Sequence, residues 1–295
     1  MSDPTPASAI DRIRAAFRTG SGKHRSLHAK GSYYTGTFTA TPRAGELSRA
    51  LHLSGESVPV LVRWSNGGGN PKAPDKAPDV RGMAVKLQLP DGTATDLLGQ
   101  TAPRFVVRTP EDFIEFVEAA QSPVKLPLFL LKHRDAFGPL VANAKAKAIA
   151  SPTSYADPTY YPVHAYKWAA ADGTGVWVRY VLRPTSPAFA GSFSGPDRLR
   201  EEMEARLAAG PVTFTLEVSV AAEGDDPHDP MSVWRTSETF DAGTFTITAV
   251  APDPEADGGV TVFDPTRVVD GIELSDDPIL LYRPLAYSES VNRRV

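Results

Sequence analysis

The stretch VTFTLEVSV, residues 212–220, alternates apolar and polar side chains without a break. A period of two places successive side chains on opposite faces of an extended chain, so this segment specifies a strand with one buried face. VWVRYVLRP (176–184) and TFTITAV (244–250) carry the same pattern, and SYYTGTFTAT (32–41), VPVLVRWS (58–65), VRGMAVKLQL (80–89) and RFVVR (104–108) read as further strands. So many strands with helical segments bunched between them imply an α+β domain built on one large antiparallel sheet. Closing that sheet as a β-barrel removes the apolar edges it would otherwise expose.

Helical signals fall outside these segments. Ile10, Ile13 and Phe17 recur on one helical face before Gly20 and Gly22, which are expected to stop the helix. In RTPEDFIEFVEAA, Thr109 stands at the N-cap, Pro110 at the first helical position and acids in the first turn, with Phe113, Phe116 and Val117 on one face. A helix is expected around LVANAKAKAIA (140–150) and a loop through SPTSYADPTYYP (151–162). SGPDRLREEMEARLAAG carries Leu199, Met203 and Leu207 as its stripe and Gly210 as its stop, and the tail from residue 263 reads as loop and then helix.

Composition narrows the chemistry. Apolar residues make up 41% and charged residues 22%, the balance of a folded soluble chain, and 295 residues fit one domain over 1–295 with an N-terminal helical arm at 1–20. The net charge of −4 with mixed signs gives no footprint for a nucleic-acid backbone, so no nucleic-acid partner is expected. No run of eighteen apolar residues occurs and the first residues mix acids with arginines, so no membrane partner and a cytoplasmic location are expected. The absence of cysteine excludes disulfides, thiolate nucleophiles, iron–sulfur clusters and thiolate-ligated haem. Any metal must be held by nitrogen or oxygen.

Two clusters carry chemistry. RSLHAKG (25–31) sets Arg25, His28 and Lys30 at the entry to a strand, and RPLAY (283–287) sets Arg283 four residues before Tyr287. That spacing puts both side chains on one helix face, so the guanidinium can donate to the tyrosine oxygen and favour its anion. A neutral imidazole near pH 7 can act in turn as general base and general acid.

HAKG (28–31), VRWSN (62–66), DVRGMAVKL (79–87), DLLGQTAPRF (96–105), the phenylalanine-bearing helix and RPLAY occur in an order and at separations that resemble the catalase family of haem enzymes. The chain is shorter than an ordinary catalase. It is more similar to the small catalase-related peroxidases, which keep the haem-bearing barrel and omit the C-terminal helical domain. The resemblance runs over residues 20–295 and is densest in 25–116 and 260–295.

That resemblance implies a haem site and a role for each matching residue. By it, haem b (iron protoporphyrin IX) lies between the barrel and the C-terminal helix, with Tyr287, in the segment 265–295, as the axial ligand of the iron. It likewise implies that Arg283 supports the phenolate, that His28 is the distal acid–base group and that Ser65 orients it. Arg25, Arg63 or Arg81, and Arg294 are implied to meet the two propionates, with Arg81 alternatively a structural partner of Asp79. Leu27 and Phe113 are implied to flank the ring, while Phe105 and Phe116 read as core. Where catalases carry an asparagine that bonds the peroxide, this chain has Gln100, followed by Thr101; the longer stem puts efficient disproportionation of hydrogen peroxide in doubt.

The expected activity is a peroxidase for hydrogen peroxide and organic hydroperoxides that uses small external electron donors, with weak catalase activity at most. A hydroperoxide isomerase of the allene oxide synthase kind and a haem-free barrel binding a small apolar ligand are the rivals. The resemblance implies self-association, as a homodimer rather than a tetramer.

Overall fold

A computed structural model describes residues 4–19 and 23–294. Its nine strands are β1 (Gly31–Ala40), β2 (Val58–Asn66), β3 (Arg81–Gln88), β4 (Ala94–Gln100), β5 (Tyr166–Ala169), β6 (Gly175–Pro184), β7 (Val212–Val220), β8 (Glu238–Ala251) and β9 (Ile272–Leu274). They form one antiparallel sheet in the order β4-β3-β2-β1-β8-β7-β6-β5-β9. β7 buries every second residue, Val212, Phe214, Leu216, Val218 and Val220, as its alternation requires.

The sheet is rolled on itself. Trp64 of β2 and Phe214 of β7 have ring centroids 6.0 Å apart although β1 and β8 lie between their strands. The expected barrel has a seam at β4, and Tyr161 and Tyr160 bridge it by pairing with Gln100 of β4 and Leu182 of β6 respectively. Trp64, Met83, Trp168, Phe214 and Phe245 fill the interior, so the roll is a packed core and not a hollow container.

Among the described residues seven α-helices accompany the sheet: α1 (Pro6–Ala16), α2 (Pro42–Leu47), α3 (Pro110–Ala120), α4 (Lys125–Lys132), α5 (Phe137–Lys145), α6 (Arg198–Ala209) and α7 (Pro278–Asn292). Thr109 caps α3 by accepting from the Asp112 amide, and Gly210 ends α6, both as the sequence implied. α1 ends at Ala16 with Phe17 as its C-cap; its expected glycine stops, Gly20 and Gly22, lie outside the described residues. Ala9 and Ile13 of α1 pack with Ile114 and Val117 of α3 and with Tyr282 of α7. Arg12 binds Glu111 and Glu118 on α3, and Arg293 binds Asp11, so the two ends of the chain are tied together.

Several expectations need correction. Residues 104–108 form no strand, because the Arg104 amide and carbonyl are both satisfied by the side chain of Asn143 instead of a neighbouring strand. The helix expected at 140–150 runs over 137–145 instead, and α4 forms despite Pro127. Strands β4, β5 and β9 were not foreseen; β4 and β9 carry mixed, short apolar patterns, and β5 is four residues long.

Candidate active site

A cavity lies between the rolled sheet and helices α1, α3 and α7. His28, Ser65, Gln100, Tyr287, Arg283, Arg25, Arg63, Arg294, Leu27 and Phe113 all line it. Residues near the two ends of the sequence therefore meet across one space.

On the first wall stands His28. Its backbone is left-handed (φ 53°), and its amide donates to the Gly67 carbonyl at 2.9 Å, which fixes the residue where the chain enters β1. Nδ1 lies 3.0 Å from Oγ of buried Ser65 on β2. Burial, then the nearby guanidinia of Arg63, Arg283 and Arg25, push the imidazole pKa down to about 3, so the ring is neutral at pH 7. Gly82 on β3 makes room for this pair: a Cβ there would sit 2.7 Å from His28 Cε1 and 3.0 Å from Ser65 Oγ.

The opposite wall is α7, capped by Asp277, which accepts from the Ile279 and Leu280 amides. One turn separates Arg283 from Tyr287, and Arg283 Nε donates to the tyrosine oxygen at 2.8 Å. The chain of contacts extends inward. Arg283 Nη1 donates to Nε2 of buried His164 at 3.0 Å, and His164 Nδ1 lies 2.6 Å from Asp277. A guanidinium has no acceptor, so Nε2 must carry the lone pair and Nδ1 the proton it donates to Asp277. Burial lowers the His164 pKa, which keeps that ring neutral.

Along one edge of the cavity are three arginines. Arg25 and Arg294 both bind Glu255, at 2.9 and 2.8 Å, and Tyr33 donates to the same carboxylate at 2.9 Å. Arg63 is 5% exposed, its Nε has no hydrogen-bond partner, and burial and Arg25 lower its pKa. Its Nη2 reaches the Ala29 carbonyl at 3.5 Å, so Nε is the buried donor left over, and such a donor could meet an anion.

The family model for catalase matches residues 10–295. The chain belongs to the catalase family. It is 47% identical over 98% of its length to a catalase-related peroxidase from Mycolicibacterium paratuberculosis (strain ATCC BAA-968 / K-10), covering 95% of that protein. A catalase-related peroxidase from Synechococcus elongatus (strain ATCC 33912 / PCC 7942 / FACHB-805) is 31% identical, with 98% of this chain and 88% of the relative covered. Among solved structures, a bacterial catalase aligns with a TM-score of 0.80 and a fungal catalase with 0.79, at 21% and 22% identity over 95% of this chain. The chain spans 59% and 61% of those two catalases.

Against the catalase-family motifs, two residues weighed for the site fall elsewhere. Arg81 is buried and donates to the carbonyls of Asp75, Ala77 and Asp79, so it ties its own loop and does not line the cavity. Thr101 is held between the Arg81 amide and the Ala148 carbonyl. Gln100 does reach the cavity, and its side chain makes no hydrogen bond among the described residues. Phe105 lines the cavity and touches Phe113 and His164, whereas Phe116 packs on Phe129 as core. Sequence reasoning missed Tyr33, Gly82, His164, Glu255 and Asp277. Asp277 alone had a local signal, standing before a proline that opens a helix.

Proposed function

We propose that the protein is a haem-dependent peroxidase that reduces hydrogen peroxide and organic hydroperoxides with an external electron donor and has weak catalase activity at most. The observation that carries this reading is that the His28–Ser65 pair and the Tyr287–Arg283 pair open on the same cavity. The residues present fit haem b. Tyr287 would ligate the iron, Arg63, Arg25 and Arg294 would meet the propionates, and Leu27 and Phe113 would flank the ring. The unpartnered Nε of buried Arg63 supports an anionic edge in the cavity.

When bound, the haem supplies the electrons that split the peroxide bond, and the outside donor replaces them. His28 moves the proton: with Nδ1 held at Ser65, Nε2 takes the proton of the incoming hydroperoxide and returns it to the departing oxygen. Its depressed pKa keeps this base unprotonated down to acidic pH. Arg283, oriented by His164 and Asp277, keeps a donor on the Tyr287 oxygen. Gln100 is an unanchored amide near the reacting end, so it positions hydrogen peroxide poorly.

The chain acts as one haem-binding unit, with Ala9, Ile10 and Ile13 of α1 lining the cavity and the C-terminal segment carrying the axial ligand; the resemblance supports a homodimer, and the mixed acids and arginines of the first residues support a cytoplasmic location. No helix among the described residues is long and apolar enough to cross a membrane. The packed sheet interior leaves a haem-free ligand-binding barrel without support.

The test is to purify the protein with haem, then compare oxygen release from hydrogen peroxide with oxidation of a dye donor by an alkyl hydroperoxide. Fast dye oxidation with little oxygen supports the proposal. Oxygen release as the dominant reaction, or product from a lipid hydroperoxide with no donor consumed, overturns it.

A further inference from the structure

Helix α4 is apolar on both sides. Phe129 faces inward and packs on Phe116 of α3, while Val124, Leu128 and Leu131 recur at i, i+4 and i+7 on the outside and are 69%, 60% and 67% exposed. A helix apolar all round belongs in an interior, yet half of this one faces solvent. The next helix repeats the pattern: Phe137 and Val141 of α5 form an outward pair one turn apart, and Ile149 is exposed in the turn beyond. Half of the large exposed apolar side chains of the described protein fall in these twenty-six residues. Contiguous apolar surface of this kind marks an interaction site.

The charge around the stripe selects the occupant. Residues 121–150 hold five cations, Lys125, Lys132, Arg134, Lys145 and Lys147, against one acid, Asp135, which is itself bound to Arg108. Lys132 pairs with Glu115, whereas Lys125, Arg134, Lys145 and Lys147 make no ion pair among the described residues. This basic segment belongs to a chain of net charge −4. At 100° per residue Lys125 and Lys132 fall 80–100° from Val124, at the border of the apolar stripe. Lys145 stands in the same relation to Phe137. Lysines bordering an apolar face can rest their stems on it and hold their ammonium groups at the level of anionic headgroups. A second copy of the chain fits this face poorly, because a two-fold interface would set its unpaired cations against themselves.

We propose that the outward face of the α4–α5 segment docks the protein peripherally onto an anionic phospholipid surface. Leu128, Leu131 and Phe137 enter the boundary between headgroups and acyl chains, and the lysines lie among the phosphates. The docking does not depend on the peroxidase reading.

The experiment is co-sedimentation of the full-length haem-loaded protein with vesicles of phosphatidylcholine alone or mixed with phosphatidylglycerol. The parent chain is expected to pellet with the anionic vesicles at least about tenfold better than with neutral ones. Binding should weaken at about 1 M salt, where screening acts over about 3 Å. L128S/L131S and K125E/K145E should each lose most of the binding while turning over a water-soluble hydroperoxide like the parent. The proposal is overturned by equal pelleting of parent and variants, by the absence of binding to anionic vesicles, or by L128S/L131S converting a dimer into a monomer in sedimentation velocity.

Discussion

Adding one methyl group at Gly82 sets a Cβ 2.7 Å from His28 Cε1, 2.8 Å from its Nδ1 and 3.0 Å from Ser65 Oγ. Non-bonded carbons rest at about 3.5–4.0 Å, so some atom must move by about 1 Å. The sheet will not yield, because Gly82 is paired with Ser65 on β2 and with Gln100 on β4. Nor will the backbone of His28, whose amide is held by the Gly67 carbonyl. The imidazole is left to swing away and give up its 3.0 Å contact with Ser65. A displacement of about 1 Å in a reacting group costs about 100-fold in rate, or ~2.7 kcal/mol of barrier. The same crowding costs ~1–3 kcal/mol of stability, so Gly82→Ala should fold. The assay is steady-state dye oxidation with an alkyl hydroperoxide, corrected for haem content, on four proteins: parent, Gly82→Ala, His28→Ala and the double variant. If Gly82 acts by placing His28, the methyl group costs about 100-fold in the parent and next to nothing once the imidazole is gone. A Gly82→Ala rate within about threefold of the parent, less than ~0.7 kcal/mol, refutes the reasoning, and so does an equal loss in both backgrounds.

Tyr287→Phe removes the oxygen to which Arg283 donates; the haem absorption spectrum should change grossly or haem should be lost, and an unaltered spectrum would take Tyr287 out of its assigned role. Glu255→Gln should lower the stability of the haem-free protein by ~2 kcal/mol, since Arg25 and Arg294 lose their shared anion, and by clearly less once haem is bound. Equal losses in thermal melts of the two forms would disprove a link between Glu255 and the cofactor edge. Burial lowers the pKa of His28 to about 3 and of His52 to about 4, both below the unfolded value of about 6.5. The unfolded chain therefore binds more protons between about pH 6.5 and 4, so stability is flat above that window and falls through it by up to ~1.4 kcal/mol per pH unit for each ring. Urea titrations at several pH values check this, and stability unchanged down to pH 4.5 would contradict it.

Local pattern made part of this legible. The alternation in 212–220 and the capped start of α3 were readable because both depend on neighbours in sequence, and both formed where expected. The segments around His28 and Tyr287 stood out because their residue types and spacings are unusual, and they do face one cavity. Other features had no local trace. His164 sits in a loop more than 110 residues from Asp277 and Arg283, and nothing in its neighbours signals the pairing. Glu255 reads as one more acid in a polar loop until the roll of the sheet brings it to Arg25 and Arg294. Residues 104–108 misled because their apolar content fits a strand, while a side chain 39 residues away satisfies the backbone of Arg104.

The arginine edge explains why such a loop acid is worth having. Arg25, Arg63 and Arg294 bring three positive charges into a half-buried space, and Glu255 brings one negative charge. The remainder is +2, the charge that two haem carboxylates would neutralise. Without Glu255 the cluster would hold an excess cation even when loaded, and three like charges at low exposure would repel whenever it was empty. Glu255 also divides the work. It anchors Arg25 and Arg294, with Tyr33 and the Thr261 amide completing its contacts, and leaves Arg63 as the buried guanidinium with a free donor. Two pinned arginines set the shape of the edge and Arg63, whose Nε has no partner, supplies the pull, so the strongest discrimination for an anionic cofactor edge should lie at Arg63.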